Sequence, residues 1–170
     1  DTLHFSLSGK EEIPGFKVTV HEEDFKTPDW MKGAVVYQIF PDRFNRGENF
    51  DKKLIEAHLN YEERIWHDDW LADVDIKGKP GFLYEANDFF GGSLQGIKEK
   101  LPYIASFGVD CIYLNPIFQS RTNHRYDTGD YFKIDPLLGT EEDFRDLCAE
   151  AKKYKISLIL DGVFSHTGAD

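Results

Sequence analysis

The chain has 170 residues, 41% of them hydrophobic, which is enough for a domain with a buried core and excludes a disordered segment. Its 20 basic and 31 acidic side chains leave a net charge of −11, a field that repels polyanions and argues against a nucleic-acid partner; a neutral or cationic small ligand fits better. Aromatic residues make up 15%, a large share that serves either a dense core or stacking surfaces for flat apolar faces such as those of sugars.

Residues Asp1 to Lys10 show no signal-peptide pattern, and no apolar run approaches the roughly 18 residues of a membrane span. The chain opens on Asp and its single methionine is Met31, so it reads as a segment of a longer protein. Leu3-His4-Phe5-Ser6-Leu7 and Phe16-Lys17-Val18-Thr19-Val20 alternate apolar and polar residues with period two, the pattern of half-buried strands. Thr27-Pro28-Asp29-Trp30 then interrupts the pattern and places a boundary near Lys32, dividing the chain into residues 1–32 and 33–170.

From Gly33 the apolar runs become nearly continuous: Ala34 to Phe40, Val109 to Leu114 and Ile156 to Leu160. Strands apolar on both faces belong to parallel sheets covered by helices. Between the first two runs, Ser93 can cap a helix that carries Leu94, Ile97, Leu101, Ile104 and Phe107 on one face, with Gly108 as its left-handed stop and Pro102 imposing a kink or break. Between the second and third, Thr140-Glu141-Glu142-Asp143 resembles a capping box for a helix with a stripe of Phe144, Leu147, Cys148, Ala151 and Tyr154. The order strand, helix, strand, helix, strand is the βαβ arrangement of an α/β fold. The long stretch from Pro41 to Phe90 holds Trp66-His67-Asp68-Asp69-Trp70 and reads either as a binding excursion or as a surface loop with a small helix around Leu54 to Tyr61.

Ligands of parallel α/β sheets sit at the carboxyl ends of the strands. The patches there are Pro41-Asp42-Arg43-Phe44, then Asn115-Pro116-Ile117-Phe118 with His124-Arg125-Tyr126-Asp127, and finally Asp161-Gly162-Val163-Phe164-Ser165-His166. Gly91-Gly92-Ser93-Leu94-Gln95-Gly96 lacks the lysine and the preceding strand of a phosphate loop, so nucleotide binding is discarded. Cys111 and Cys148 fall in apolar stretches and read as buried thiols, and with His124 and His166 in different loops no zinc set forms. Ser165 beside His166 lacks a nucleophile elbow. A polar, aromatic-edged pocket remains.

The runs Ala34 to Phe44, Asp88 to Ile97, Leu114 to Phe118, His124 to Asp127 with Asp130-Tyr131, and Asp161 to His166 resemble, in order, motifs of the alpha-amylase family of glycoside hydrolases, particularly neopullulanases, cyclomaltodextrinases and maltogenic amylases. The resemblance implies an α/β fold made of the first three βα units of a TIM (β/α)8 barrel in residues 33–170, preceded in residues 1–32 by the end of a β domain. It matches His166 to a histidine that hydrogen-bonds the primary hydroxyl of the sugar at the cleavage site and Tyr126 to a tyrosine whose ring stacks under that sugar. His124 matches a loop residue beside it. Asp161 matches a largely structural carboxylate that helps hold the catalytic groups of neighbouring strands, and Asp127 orders the same loop.

The implied activity is retaining hydrolysis of α-1,4-glucosidic bonds in maltodextrins, cyclodextrins or pullulan, with an α-glucan oligosaccharide as partner, no membrane, a cytoplasmic location and a parent protein that forms a homodimer. Retaining chemistry needs two carboxylates roughly 5 Å apart. By the resemblance these lie on barrel strands four and five, with a stabilising Asp on strand seven, so no catalytic residue is assigned here and the segment alone is expected to be inactive. A non-catalytic amylase-like scaffold or a glucan-transferring relative, a branching enzyme or glucosyltransferase, is the alternative. The pattern departs at Ser165, where Asn is common. Some relatives bind calcium through Asn and Asp after strand one and an Asp after the Gly-Gly pair; here the loop reads Asn45-Arg46-Gly47-Glu48-Asn49-Phe50-Asp51 and the last place is Ser93, so no metal is expected. A barrel needs about 250 residues, and three strands leave an open edge that calls for further chain segments or intimate contacts.

Overall fold

The computed structural model describes residues 2–5, 16–59, 64–74 and 86–168. The chain divides into two compact units, residues 1–32 and 33–170. In the first, β1 (Thr2–Phe5) pairs antiparallel with β2 (Phe16–Thr19), Thr2 opposite Thr19 and Phe5 opposite Phe16. Ser6 and Leu7 of the expected first strand lie outside the described residues, and the second ends one residue before Val20, which is exposed. A single 3-10 turn over Asp29–Met31 follows Pro28.

The second unit runs through β3 (Val36–Ile39), α1 (Lys52–Leu59), β4 (Ile65–Trp66), β5 (Asp88–Phe89), α2 (Leu94–Glu99), α3 (Leu101–Ala105), β6 (Cys111–Leu114), β7 (Phe118–Ser120), β8 (Thr128–Ile134), α4 (Glu141–Lys153) and β9 (Ser157–Leu160). The apolar runs form a parallel three-stranded sheet in the order β3-β6-β9, with Val36, Cys111 and Ser157 level at one end and Ile39, Leu114 and Leu160 at the other. The α/β reading therefore holds. Ile39, Ile112 and Leu114 from the sheet meet Leu94, Ile97, Leu101 and Ile104 from α2 and α3 and Leu147 and Ala151 from α4 in one buried cluster. Complete burial of such aliphatic side chains stabilises by about 1.5–3 kcal/mol each before the entropy of ordering is set against it.

Coverage of the sheet is less even than continuous apolar runs suggest. Central β6 buries Cys111, Ile112 and Leu114, whereas in and beside β3 Val35 is 52% exposed, Val36 and Tyr37 are also exposed, and only Ile39 is buried. Both β3 and β9 are edge strands, so the burial that a β-branched run anticipates is realised only where helices pack against it.

The first helical stretch breaks as Pro102 requires: α2 stops at Glu99, Lys100 leaves the helical region, and Pro102 takes the second position of α3, where its missing N–H is harmless. The buried stripe continues across the break through Leu101 and Ile104, and α3 ends at Ala105. Phe107, expected on the buried face, is instead 57% exposed and packs edge-on against Tyr103 at 4.7 Å. Gly108 takes φ +70 as the stop demands. Ser93 caps α2 by accepting from Gly96 N–H, and Thr140 with Asp143 closes the expected capping box on α4. Tyr154, assigned to the α4 stripe, is its exposed C-cap, because the helix ends at Lys153. Cys111 is buried and Cys148 half-buried, both free thiols.

Within the 41–90 stretch, α1 follows Asp51, whose Oδ1 accepts from Lys53 and Leu54 N–H, and parallel β4 and β5 anchor the end of the stretch. Ile55, Phe89 and Leu137 form a second small core there. Tight packing fixes the glycines of the run into α2: a Cβ on Gly92 would lie 1.9 Å from the Pro41 carbonyl and one on Gly96 1.9 Å from that of Asn45. Among the described residues no helix is long and apolar enough to cross a membrane.

Candidate functional site

The register of the parallel sheet continues one residue past its strands. Asn115 N–H donates to the Ile39 carbonyl at 3.0 Å and Asp161 N–H to the Leu114 carbonyl at 3.0 Å, which sets Asn115 and Asp161 side by side at the carboxyl end. Gln38 Nε2 donates to Asn115 Oδ1 at 2.8 Å and ties the first strand to the same edge. This is the end at which an α/β sheet presents ligands.

The loop after β6 is shaped by two buried or half-buried acids. Asp127 accepts from Ser120 Oγ at 2.5 Å, from Thr122 N–H at 3.2 Å and from Thr122 Oγ1. Burial alone would raise the Asp127 carboxyl, but these hydrogen bonds outweigh it and hold the group below the usual carboxylate range. Arg125, with φ +61, turns inward and is completely buried; its Nε donates to Asp135 Oδ2 at 3.0 Å and its Nη1 to the Asn123 carbonyl at 2.8 Å. Turning Arg125 in leaves its neighbours His124 and Tyr126 toward solvent, with rings 5.7 Å apart.

His124 Nδ1 accepts the Tyr126 N–H at 3.0 Å and faces Thr122 Oγ1 at 3.0 Å. A ring nitrogen that accepts a backbone N–H cannot carry its own proton there, so the imidazole is neutral with its hydrogen on Nε2, a donor available to a ligand. Burial pushes the His124 pKa down, Arg125 adds to the fall, and Asp127 at 3.9 Å only partly opposes it.

Tyr126 Oη donates to Asp161 Oδ2 at 2.8 Å, joining the loop after β6 to the end of β9. Burial, and after it the Asp161 hydrogen bond and charge, push the Tyr126 phenol up to about 12. Tyr113 on β6 is raised as well, first by hydrogen bonding to Asp161 and then by burial. Both phenols keep their protons at neutral pH. The chain beyond β9 is tied to β8 through a Tyr131 Oη bond to the Val163 carbonyl, the stacked rings of Tyr131 and Phe164, and Gly168 N–H on the Thr128 carbonyl at 2.8 Å.

The structure therefore brings Tyr126 and Asp161 into contact, with His124 and Asp127 in the supporting loop. His166 is exposed, with Ser165 Oγ 3.0 Å from its Nδ1, and no described hydrogen bond or ring contact joins it to Tyr126 or Asp161. The Asp42 patch serves as a brace: buried Asp42 accepts from the N–H groups of Phe90 and Gly91 and from Arg43 Nε, and so clamps the loop after β3 to the run into α2. Arg125 and Tyr113 carry no assignment from the sequence. The periodicity of β6 placed Tyr113 in a strand without indicating which face it takes, and the partner of Arg125 lies ten residues away across a hairpin.

The Alpha amylase, catalytic domain, family model matches residues 38–170. The chain is 48% identical over 161 residues to an amylopullulanase of Thermoanaerobacterium saccharolyticum, an alignment covering 91% of this chain and 13% of that protein. Among solved structures, the type III pullulan hydrolase from Thermococcus kodakarensis superposes with a TM-score of 0.73 at 34% identity, covering 91% of this chain and 29% of that one. The cyclic alpha-maltosyl-(1→6)-maltose hydrolase from Arthrobacter globiformis, in complex with cyclic alpha-maltosyl-(1→6)-maltose, gives 0.63 at 40% identity, covering 85% and 28%. The chain thus spans less than a third of each of these relatives. With its family model matching most of its length and its fold shared with these hydrolases, the chain belongs to the alpha-amylase family.

Proposed function

We propose that residues 33–170 form the first three βα units of a (β/α)8 barrel in a retaining α-glucan hydrolase acting on α-1,4 bonds of maltodextrins, cyclodextrins or pullulan, with residues 1–32 as the end of a preceding β domain. The observation that carries this reading is the Tyr126–Asp161 hydrogen bond at the carboxyl ends of β6 and β9. It holds an exposed aromatic ring at the ligand-bearing edge of the sheet, where the ring can stack on the apolar face of a pyranose. His124, through its Nε2–H, and His166 supply hydrogen bonds to hydroxyls, and Asp127 fixes the loop that carries the tyrosine. Asp161, held by the Tyr126 hydroxyl, is a positioning group at the floor of the subsite. The two reacting carboxylates belong to later strands of the barrel, so this part of the protein binds and orients the sugar while bond cleavage takes place on groups outside it.

Incubation of the intact protein with maltoheptaose tests the reading. The expected result is shorter maltooligosaccharides whose new reducing ends appear first as the α-anomer in proton NMR, while the 170-residue chain alone leaves the substrate unchanged. Accumulation of longer glucans would assign transfer in place of hydrolysis, and unchanged maltoheptaose with the intact protein would overturn the proposal.

A further inference from the structure

The loop after β3 is the place at which the family resemblance raises calcium, and several of its oxygens are already engaged otherwise. Arg46 Nε donates to the Phe90 carbonyl at 2.7 Å and Nη2 to the His67 carbonyl at 2.5 Å. The guanidinium carbon lies 5.3 Å from the Phe50 ring, 5.1 Å from Trp66 and 5.2 Å from Trp70. Ser93 Oγ, at the position after the Gly-Gly pair, donates to the Arg46 carbonyl at 2.6 Å and accepts from Gly96 N–H at 2.9 Å. Asp51 Oδ1 is taken by the N–H groups that open α1, and Glu48 is exposed.

Calcium requires six to eight oxygens converging at about 2.3–2.6 Å, several of them anionic. Here two of the convergent oxygens are neutral carbonyls that already accept N–H donors, and the hydroxyl that replaces a carboxylate is committed to a backbone bond. A second cation beside the guanidinium would meet repulsion at short range. The donor set does not fit the ion.

We infer that Arg46 is the resident cation of this loop: its guanidinium, held by the Phe90 and His67 carbonyls inside a cage of Phe50, Trp66 and Trp70, orders residues 42–51 and 64–70 without calcium. A planar fork with delocalised charge suits the task, since it bonds two separated carbonyls and presents flat faces to aromatic rings at once, which a spherical ion cannot do. The loop packs against α2, whose N-terminus is locked to it through Ser93 N–H on the Asn45 carbonyl and Asn45 Nδ2 on the Gly96 carbonyl. Ordering by Arg46 therefore transmits to α2.

Hydrogen exchange of the intact protein, followed by mass spectrometry on peptides covering 42–51 and 64–70, tests the inference with calcium chloride and with a chelator. In the wild type the two conditions should give the same exchange in these peptides. Arg46→Ala should accelerate it about tenfold or more, and Arg46→Lys, which keeps the charge but loses the fork, should recover only part of the protection. Slower exchange of these peptides in calcium than in chelator, for the wild type, would overturn the inference even if Arg46→Ala fails to fold. So would unchanged exchange in a folded Arg46→Ala variant.

Discussion

Arg125→Ala is expected to lower the stability of the protein by about 3–5 kcal/mol, seen as a marked fall in the thermal or denaturant midpoint. Arg125 and Asp135 are 0% and 1% exposed, and removal of the guanidinium leaves a carboxylate buried without its counter-ion. Loss of the side chain also strips the Phe89 ring of a neighbour 5.9 Å away and the Asn123 carbonyl of its donor. The residue tolerates φ +61, a left-handed conformation that costs a non-glycine residue roughly 1–2 kcal/mol, because turning inward there is what completes the pair. A double change, Arg125→Met with Asp135→Leu, should recover much of the loss, since an apolar pair has no charge to strand. Recovery should be incomplete, because Asp135 Oδ1 also accepts the Leu137 N–H at 2.8 Å. An unchanged midpoint for Arg125→Ala would remove the buried pair from this description of the loop.

Tyr126→Ala is expected to reduce kcat/KM on maltooligosaccharides by roughly 10- to 100-fold, the loss of about 1.5–3 kcal/mol of stacking and apolar contact. Tyr126→Phe separates the two roles of the side chain. It keeps the ring and deletes the donor to Asp161, so its KM should stay near that of the wild type while any fall appears in kcat through a displaced Asp161. The pH dependence has a defined sign. A phenol raised to about 12 in the folded protein contributes stability that is fully present below its ordinary value near 10 and is lost as the pH rises through about 12. The wild-type contact therefore persists through the neutral and mildly alkaline range. A Tyr126→Ala enzyme with undiminished kcat/KM would remove the ring from the subsite.

Much of the fold follows from short-range signals. The Ser93 and Thr140 caps, the Gly108 stop and the Pro102 break each act within one helical turn, and each appears where the residues require it. Expectations failed where burial depends on what lies across space. Phe107 and Tyr154 fit the helical periodicity, yet one lies past the end of α3 and the other caps the end of α4, so neither reaches the core. Val35 and Val36 read as buried strand and are exposed at an edge. In the candidate site, the motifs pointed to Tyr126 and Asp161, but their 2.8 Å contact links residues 35 apart and arises only when β6 and β9 align. Arg125 was hidden for a similar reason: an arginine in a polar loop gives no local sign that it will be the innermost residue of that loop.

If the carboxyl edge of this sheet, built on Tyr126 and Asp161, is a glucan subsite, a bound sugar must lie against it. A crystal structure of the intact protein with a bound maltooligosaccharide tests it most directly. The expected result is a pyranose ring stacked on the Tyr126 face, with its hydroxyls within hydrogen-bond distance of His166 and of the His124 side of the loop. A glucan bound in the barrel with Tyr126, His124 and His166 all out of contact would contradict it.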